Sequence, residues 1–300
     1  MKNREQFFPS SYKRIQMSRY LSGTGLEIGA LCQPLPLPTT VEQIYYTDHL
    51  DNPALRTHYP EFDHVRFVEL ACVSDYGALP FVDNALDFII TNHTIEHAEN
   101  VFRVIHEFQR VLKPNGILYM AVPDKRATFD LYREPVSFEH LADEYRNGAS
   151  QNRQQHYGEW VRDGNKYFHP NTTLDEANVD YQIKDLMTQN YSIHFHAWTA
   201  KDFLAHILLM RAELGIDLDV LDFATLQQEV DNEFIMILQK PNRTEETHFR
   251  AVSRLVHKLV EQIEVAQTVS SQYEALTPKE RWMLKTYRKI RGVKNRYFKT

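Results

Sequence analysis

Residues 85–123 spell a strand, a helix and a second strand with little between them, and this constrains the fold more than any other stretch. The run Ala85-Leu86-Asp87-Phe88-Ile89-Ile90-Thr91-Asn92 is apolar on both alternating sets, as a strand covered on both faces requires. Over 100–112, apolar residues fall at 101, 104, 105, 108, 111 and 112, the spacing of one helical face. Lys113-Pro114-Asn115-Gly116 stops that helix, 117–122 reads as another buried strand, and Pro123 ends it.

The same alternation extends outward. Strands are expected at 26–30, 43–50 and 65–70, a helix at 200–214, and an antiparallel hairpin from 216–223 and 233–239. Strands alternating with helices imply an α/β fold: a Rossmann-like, mostly parallel, seven-stranded sheet with helices on both faces. Residues 1–17 read as a lead-in segment and 18–242 as the main domain. Within it, about 124–195 is polar and rich in Asn, Gln and His, and reads as an inserted cap of helices and loops. Residues 245–300 read as a helical tail. Its last part, 281–300, carries eight Lys/Arg and no acid, interleaved with Trp282, Leu284, Tyr287, Ile290, Tyr297 and Phe298. Such a segment suits contact with its own domain, a partner enzyme or a peripheral membrane surface, and an oligomer is compatible with it.

The first chemical signal is Leu26-Glu27-Ile28-Gly29-Ala30. An acid followed by Gly at the end of a first strand is where nucleotide cofactors dock in such folds, because Gly permits a tight turn and close backbone approach. Asp48 follows Glu27 by 21 residues, at the end of the second strand, where a carboxylate can accept both ribose hydroxyls. Nicotinamide and S-adenosylmethionine sites share this spacing. After Gly29 come Ala30, Leu31, Cys32, Gln33 and Pro34, so the glycines that cradle a pyrophosphate are absent, which disfavours a dinucleotide.

Residues 75–97 add Asp75, Leu79-Pro80-Phe81, Asp87-Phe88 and Ile95-Glu96-His97, followed by Leu112-Lys113-Pro114-Asn115-Gly116. Together these resemble the class I S-adenosylmethionine-dependent methyltransferases, over roughly 20–125 by motif and 195–240 by strand order. The resemblance implies S-adenosylmethionine as cofactor. Glu27 and Gly29 would face its methionine end, Asp48 its ribose, Asp75 and Tyr76 its adenine, and Asn92 and His93 the floor beside the sulfonium. His93 and His97 are the nearest candidates for a general base, since an imidazole titrates near neutral pH.

In the insert, Pro123-Asp124-Lys125-Arg126, Glu139-His140 and His194-Phe195-His196-Ala197-Trp198 are similar to segments of bacterial methyltransferases associated with surface-glycan biosynthesis. Asp124, Arg126, His140, His194, His196 and Trp198 are therefore candidate substrate-binding residues: charged groups for hydroxyls and a ring for a sugar's C–H face. The expected activity is O-methylation of a small molecule or glycan. The alternative is a methyltransferase fold acting as a non-catalytic scaffold. His194 and His196, with Asp124 or His140, could also approach a metal, but no H-E-x-x-H or Cys/His frame is present and the expectation is no metal.

The net charge of −6 gives no case for nucleic-acid binding. No apolar run approaches the roughly 18 residues needed to span a bilayer, the first residues lack an apolar leader core, and the two cysteines, Cys32 and Cys72, form no paired motif. These features lead us to expect a cytoplasmic setting.

Overall fold

The computed structural model describes residues 10–62, 64–170, 175–227 and 231–242. The basic tail and the first nine residues lie outside the described residues. Seven strands, β1 Gly23–Ile28, β2 Val41–Asp48, β3 Cys72–Val73, β4 Leu86–Asn92, β5 Leu112–Pro123, β6 Asp219–Ala224 and β7 Glu233–Gln239, form one sheet in the order β3-β2-β1-β4-β5-β7-β6. The pairs from β3 to β5 are parallel, and β7 runs antiparallel between β5 and β6. The expected α/β sheet and its closing antiparallel hairpin are both present.

The helices are α1 Ser10–Met17, α2 Asn52–His58, α3 Val101–Val111, α4 Phe138–Asn147, α5 Arg153–Phe168, α6 Glu176–Thr188 and α7 Ala200–Leu214. In α3 the predicted stripe, Val101, Val104, Ile105, Phe108 and Val111, is buried. Asn100 caps the helix, accepting from the Arg103 amide. Phe88, Ile89 and Ile90 of β4 are fully enclosed. Phe88 lies so close to β1 that a Cβ on Gly25 would fall 2.3 Å from its ring, so only glycine fits there.

One strand expectation is corrected. Residues 65–70 form no strand; β2 pairs with Cys72–Val73 instead. The apolar side chains of 65–70 pack rather than pair. Phe67 is buried with the Arg56 guanidinium 4.6 Å from its ring centroid, while the Val68 amide bonds to the Leu31 carbonyl. Before β1, α1 is tied to the start of β7, where Lys13 Nζ donates to the Glu233 carbonyl at 2.6 Å. Helices α4, α5 and α6 occupy the expected insert.

Candidate functional site

Between β1 and β4 the strand order reverses direction, and in open α/β sheets ligands bind outside the carboxyl ends of the strands at such a point. A cleft of about 580 Å³ lies there, lined among others by Gly29, Asp48, Asp75, Tyr76, His93 and His97. Gly29 holds φ +68°, and a Cβ on it would lie 2.9 Å from Thr94 Oγ1, another lining group. Glycine thus serves both the turn and the space beside it.

Asp48 ends β2, buried at 3% exposure. Its Oδ1 accepts from the His49 amide at 2.7 Å and from the Tyr76 hydroxyl at 3.1 Å, and lies 2.7 Å from His49 Nδ1. Its Oδ2 takes part in no hydrogen bond among the described residues. Burial, then the Asp48 charge, pushes the Tyr76 hydroxyl well above its ordinary value, so it remains a donor. Asp75 Oδ1 accepts from the Gly77 amide at 2.8 Å, shaping the loop at the cleft wall.

Glu27 and Asn92 do not line this cleft. Glu27 is buried, accepting from the Leu35 amide at 3.0 and 3.1 Å and from Asn92 Nδ2 at 3.2 Å. It staples the loop after Gly29 back onto β1. Burial outweighs these bonds and pushes its carboxyl up to about 7.

His93 follows β4 with φ +50°, which aims its ring across the sheet edge. Its Nε2 lies 2.9 Å from Glu233 Oε2. Glu233 is fully enclosed and also receives Arg14 through Nε at 3.0 Å and a second guanidinium nitrogen at 2.6 Å. Burial raises the Glu233 carboxyl, but the bonds from His93 and Arg14 prevail and hold it at about 2. An ionised carboxylate therefore holds the His93 ring through Nε2.

Beneath the cleft, Glu96 is 1% exposed and neither of its oxygens has a hydrogen-bond partner. Its Oε1 lies 3.9 Å from each of His93 Nδ1, His97 Nε2 and His194 Nε2. Burial raises this carboxyl to about 7. His97 bonds the Ile193 carbonyl through Nδ1 at 2.9 Å, and burial, with His194 alongside, pushes it down to about 3. His97 is thus neutral at ordinary pH, with the lone pair on Nε2.

The insert divides the two histidines that the sequence sets side by side. His194 turns to Asp130, with Nδ1 2.6 Å from Oδ2; His196 turns to Glu144, with Nε2 3.0 Å from Oε2. Glu144 also meets His140 Nε2 at 3.0 Å and His156 Nε2 at 2.8 Å. Burial would raise the Glu144 carboxyl, but three imidazole hydrogen bonds hold it far below the usual carboxylate range. His140, His156 and His196 line a second cleft of about 430 Å³, together with Arg133, Glu134, Ser137, Gln155, Glu159 and Asp163.

Asp124, Arg126 and Trp198 line neither cleft. Asp124 is enclosed and held by Arg126 at 2.8 and 2.7 Å, and it bridges the backbone of Trp198. Trp198 is 1% exposed and packs edge-on against Phe203, so its face is not open to a sugar. Sequence reasoning overlooked Arg14, Glu144, His156 and Glu233. For Glu144 a signal existed: it follows His140 by four residues, the spacing that places two side chains on one helical face. The other three come from distant segments.

Residues 22–120 match a family model described as a methyltransferase domain. The chain is 28% identical over 126 residues to the uncharacterized protein YafE of Escherichia coli K12, a stretch covering 41% of this chain and 52% of YafE. It is 29% identical over 111 residues to the biotin biosynthesis bifunctional protein BioHC of Teredinibacter turnerae, covering 36% of this chain and 20% of that protein. The match thus spans about half the length of one curated relative and a fifth of the other. A solved S-adenosylmethionine-dependent methyltransferase from Thermotoga maritima aligns over 78% of this chain and 90% of its own, at 15% identity and a TM-score of 0.41. Among the described residues no helix is long and apolar enough to cross a membrane.

Proposed function

We propose that this chain is an S-adenosylmethionine-dependent methyltransferase that methylates a hydroxyl of a small molecule or glycan. The observation that carries the reading is the convergence of Gly29, Asp48 and Asp75 on one cleft at the strand-order reversal, all three within the residues matched by the methyltransferase domain. The cradle at Gly29, closed by any Cβ, fits close approach of the methionine end of a cofactor. In this reading Asp48 Oδ2 would accept from ribose hydroxyls and Asp75, on the same cleft wall, would meet the adenine amine. When bound, S-adenosylmethionine supplies an activated methyl group for in-line displacement. In this reading His93, oriented by Glu233 and lining the cleft, would accept the acceptor's proton. His97 lines the same wall as a neutral ring. Asn190 and Ser192 of the insert also line the cleft, which favours water exclusion there.

One observation favours the scaffold reading. The turn after Gly29 takes a left-handed conformation at Leu31, φ +47°, where a glycine would be expected beside a bound cofactor. Calorimetric titration with S-adenosylmethionine, S-adenosylhomocysteine and NAD separates the two readings. The proposal expects binding of the first two and not the third. It also expects Asp48→Ala to weaken S-adenosylhomocysteine binding about tenfold or more, since charge-assisted bonds contribute roughly 1.5–3 kcal/mol. No binding by the wild-type protein would leave the scaffold reading standing.

A further inference from the structure

We propose that His140, Glu144, His156 and His196 form a site for one divalent transition-metal ion, of the zinc type, that ties together three segments of the insert. The four side chains come from α4, α5 and the extended segment before α7. One donor atom from each lies within 4.8 Å of all the others. His140 Nε2 and His156 Nε2 are 3.3 Å apart, and both approach Glu144 Oε1, at 3.0 and 2.8 Å. A tetrahedral zinc with bonds of about 2.0–2.1 Å to nitrogen separates its ligands by about 3.3–3.4 Å. The spacing is thus nearly that of a coordination shell.

Hydrogen bonding alone accounts for the arrangement poorly. Three imidazole Nε2 atoms face a single carboxylate, and two of them crowd the same oxygen within van der Waals distance of each other. An ion at the centre turns the crowded donors into converging lone pairs and supplies the positive charge that a buried carboxylate needs. Three imidazoles and one carboxylate are ligands that zinc accepts, and four protein donors close the shell, as in a structural site. Among the described residues the other group of this kind, Glu96, His97 and His194, is looser: it has three donors, with contacts of 3.9 Å to Glu96.

An ion here would act on the cofactor cleft through the segment it grips. Two residues before His196, this segment receives the side chain of Asp130. At Phe195 its amide bonds the Glu96 carbonyl at 2.8 Å, and at Ile193 its carbonyl holds His97.

The test uses the full chain, stripped with a chelator and then titrated with Zn²⁺ against a chromophoric competitor. The expected result is one tightly held equivalent per chain. In His140→Ala, whose side chain is partly exposed, and in Glu144→Gln, affinity should fall by more than the roughly 10–100-fold that losing a supporting residue outside the ligand set costs. His194→Ala should keep the ion. Co²⁺ in the wild-type protein should give the intense visible bands of four-coordinate cobalt, a readout that does not depend on any variant folding. Absence of a retained equivalent, unchanged affinity in both ligand variants, loss of the ion in His194→Ala, or a six-coordinate cobalt spectrum would each overturn the proposal.

Discussion

Replacing Glu96 by Gln should stabilise the protein at alkaline pH and leave it nearly unchanged at acid pH. Glu96 is enclosed, has no hydrogen-bond partner, and its carboxyl is raised from the ordinary 4.5 to about 7 by burial, against the opposing charge of His194. A raised carboxyl contributes stability that is fully present below its unfolded value and lost as pH climbs through its folded value. The window is therefore about 4.5 to 7. At 1.36 kcal/mol per pH unit, ionising Glu96 in place costs about 3 kcal/mol by pH 8. Gln reproduces the protonated side chain and removes that cost. Urea unfolding followed by tryptophan fluorescence, at pH 5 and pH 8 in buffers containing a chelator, measures the difference. A gain of about 2–3 kcal/mol at pH 8, with less than about 1 at pH 5, is expected. An equal difference at both values, or a larger one at pH 5, would refute the view that Glu96 is a neutral acid beneath the cleft.

Three further outcomes follow from the cleft. Gly29→Ala puts a Cβ at φ +68° and 2.9 Å from Thr94 Oγ1, so thermal unfolding should show a loss of about 1–3 kcal/mol, with cofactor affinity falling alongside. If His93 is the base, His93→Ala should lower turnover roughly 10²–10⁴-fold while cofactor binding survives. Glu233→Gln should shift the pH–rate profile through loss of the ionised carboxylate that orients the ring; an unaltered profile counts against the pair.

What could be read from the sequence follows from what each element must bury. β4 and the α3 stripe are enclosed, so their residues had to be apolar at the right period, and both elements could be placed. Residues 65–70 carry equally apolar side chains, but packing of Phe67 and pairing with β2 are separate demands, and only the first is met there. That Gly29, Asp48 and Asp75 line one cleft could be anticipated because the ends of neighbouring parallel strands lie side by side at one sheet edge. Glu27 shows the limit of that rule. It is an acid at the expected position, but its partner is the Leu35 amide in the loop that it folds back. The Glu233–His93 contact spans 140 residues, and no local pattern encodes it. His194 and His196 are two apart and would share a face in a regular strand, but 191–197 is irregular, and the two serve different carboxylates although in sequence they look like a pair.

That segment depends on one side chain, which gives a final test. Arg133 is 5% exposed, and its guanidinium donates to Asp130 Oδ1 at 3.0 Å, to the His194 carbonyl at 2.6 Å and to the Phe195 carbonyl at 2.7 Å. It satisfies two backbone oxygens of the segment that carries His194 and His196, and it neutralises the carboxylate that orients His194. Burial alone would raise the Asp130 carboxyl, but His194, then Arg133, hold it below its ordinary value. Arg133→Met keeps most of the volume and removes every donor. The change leaves Asp130 with one partner fewer and two carbonyls unbonded, and breaking a buried pair in this way costs about 3–5 kcal/mol. The loss should be local before it is global, because the backbone carbonyls that Arg133 bonds belong to this segment and not to the sheet. Hydrogen exchange at the amides of 193–198 should therefore rise by more than exchange in β4 and β5. Uniform acceleration across the sheet would mean that Arg133 supports the whole domain, and unchanged exchange at 193–198 would mean that the segment is held by its neighbours without it.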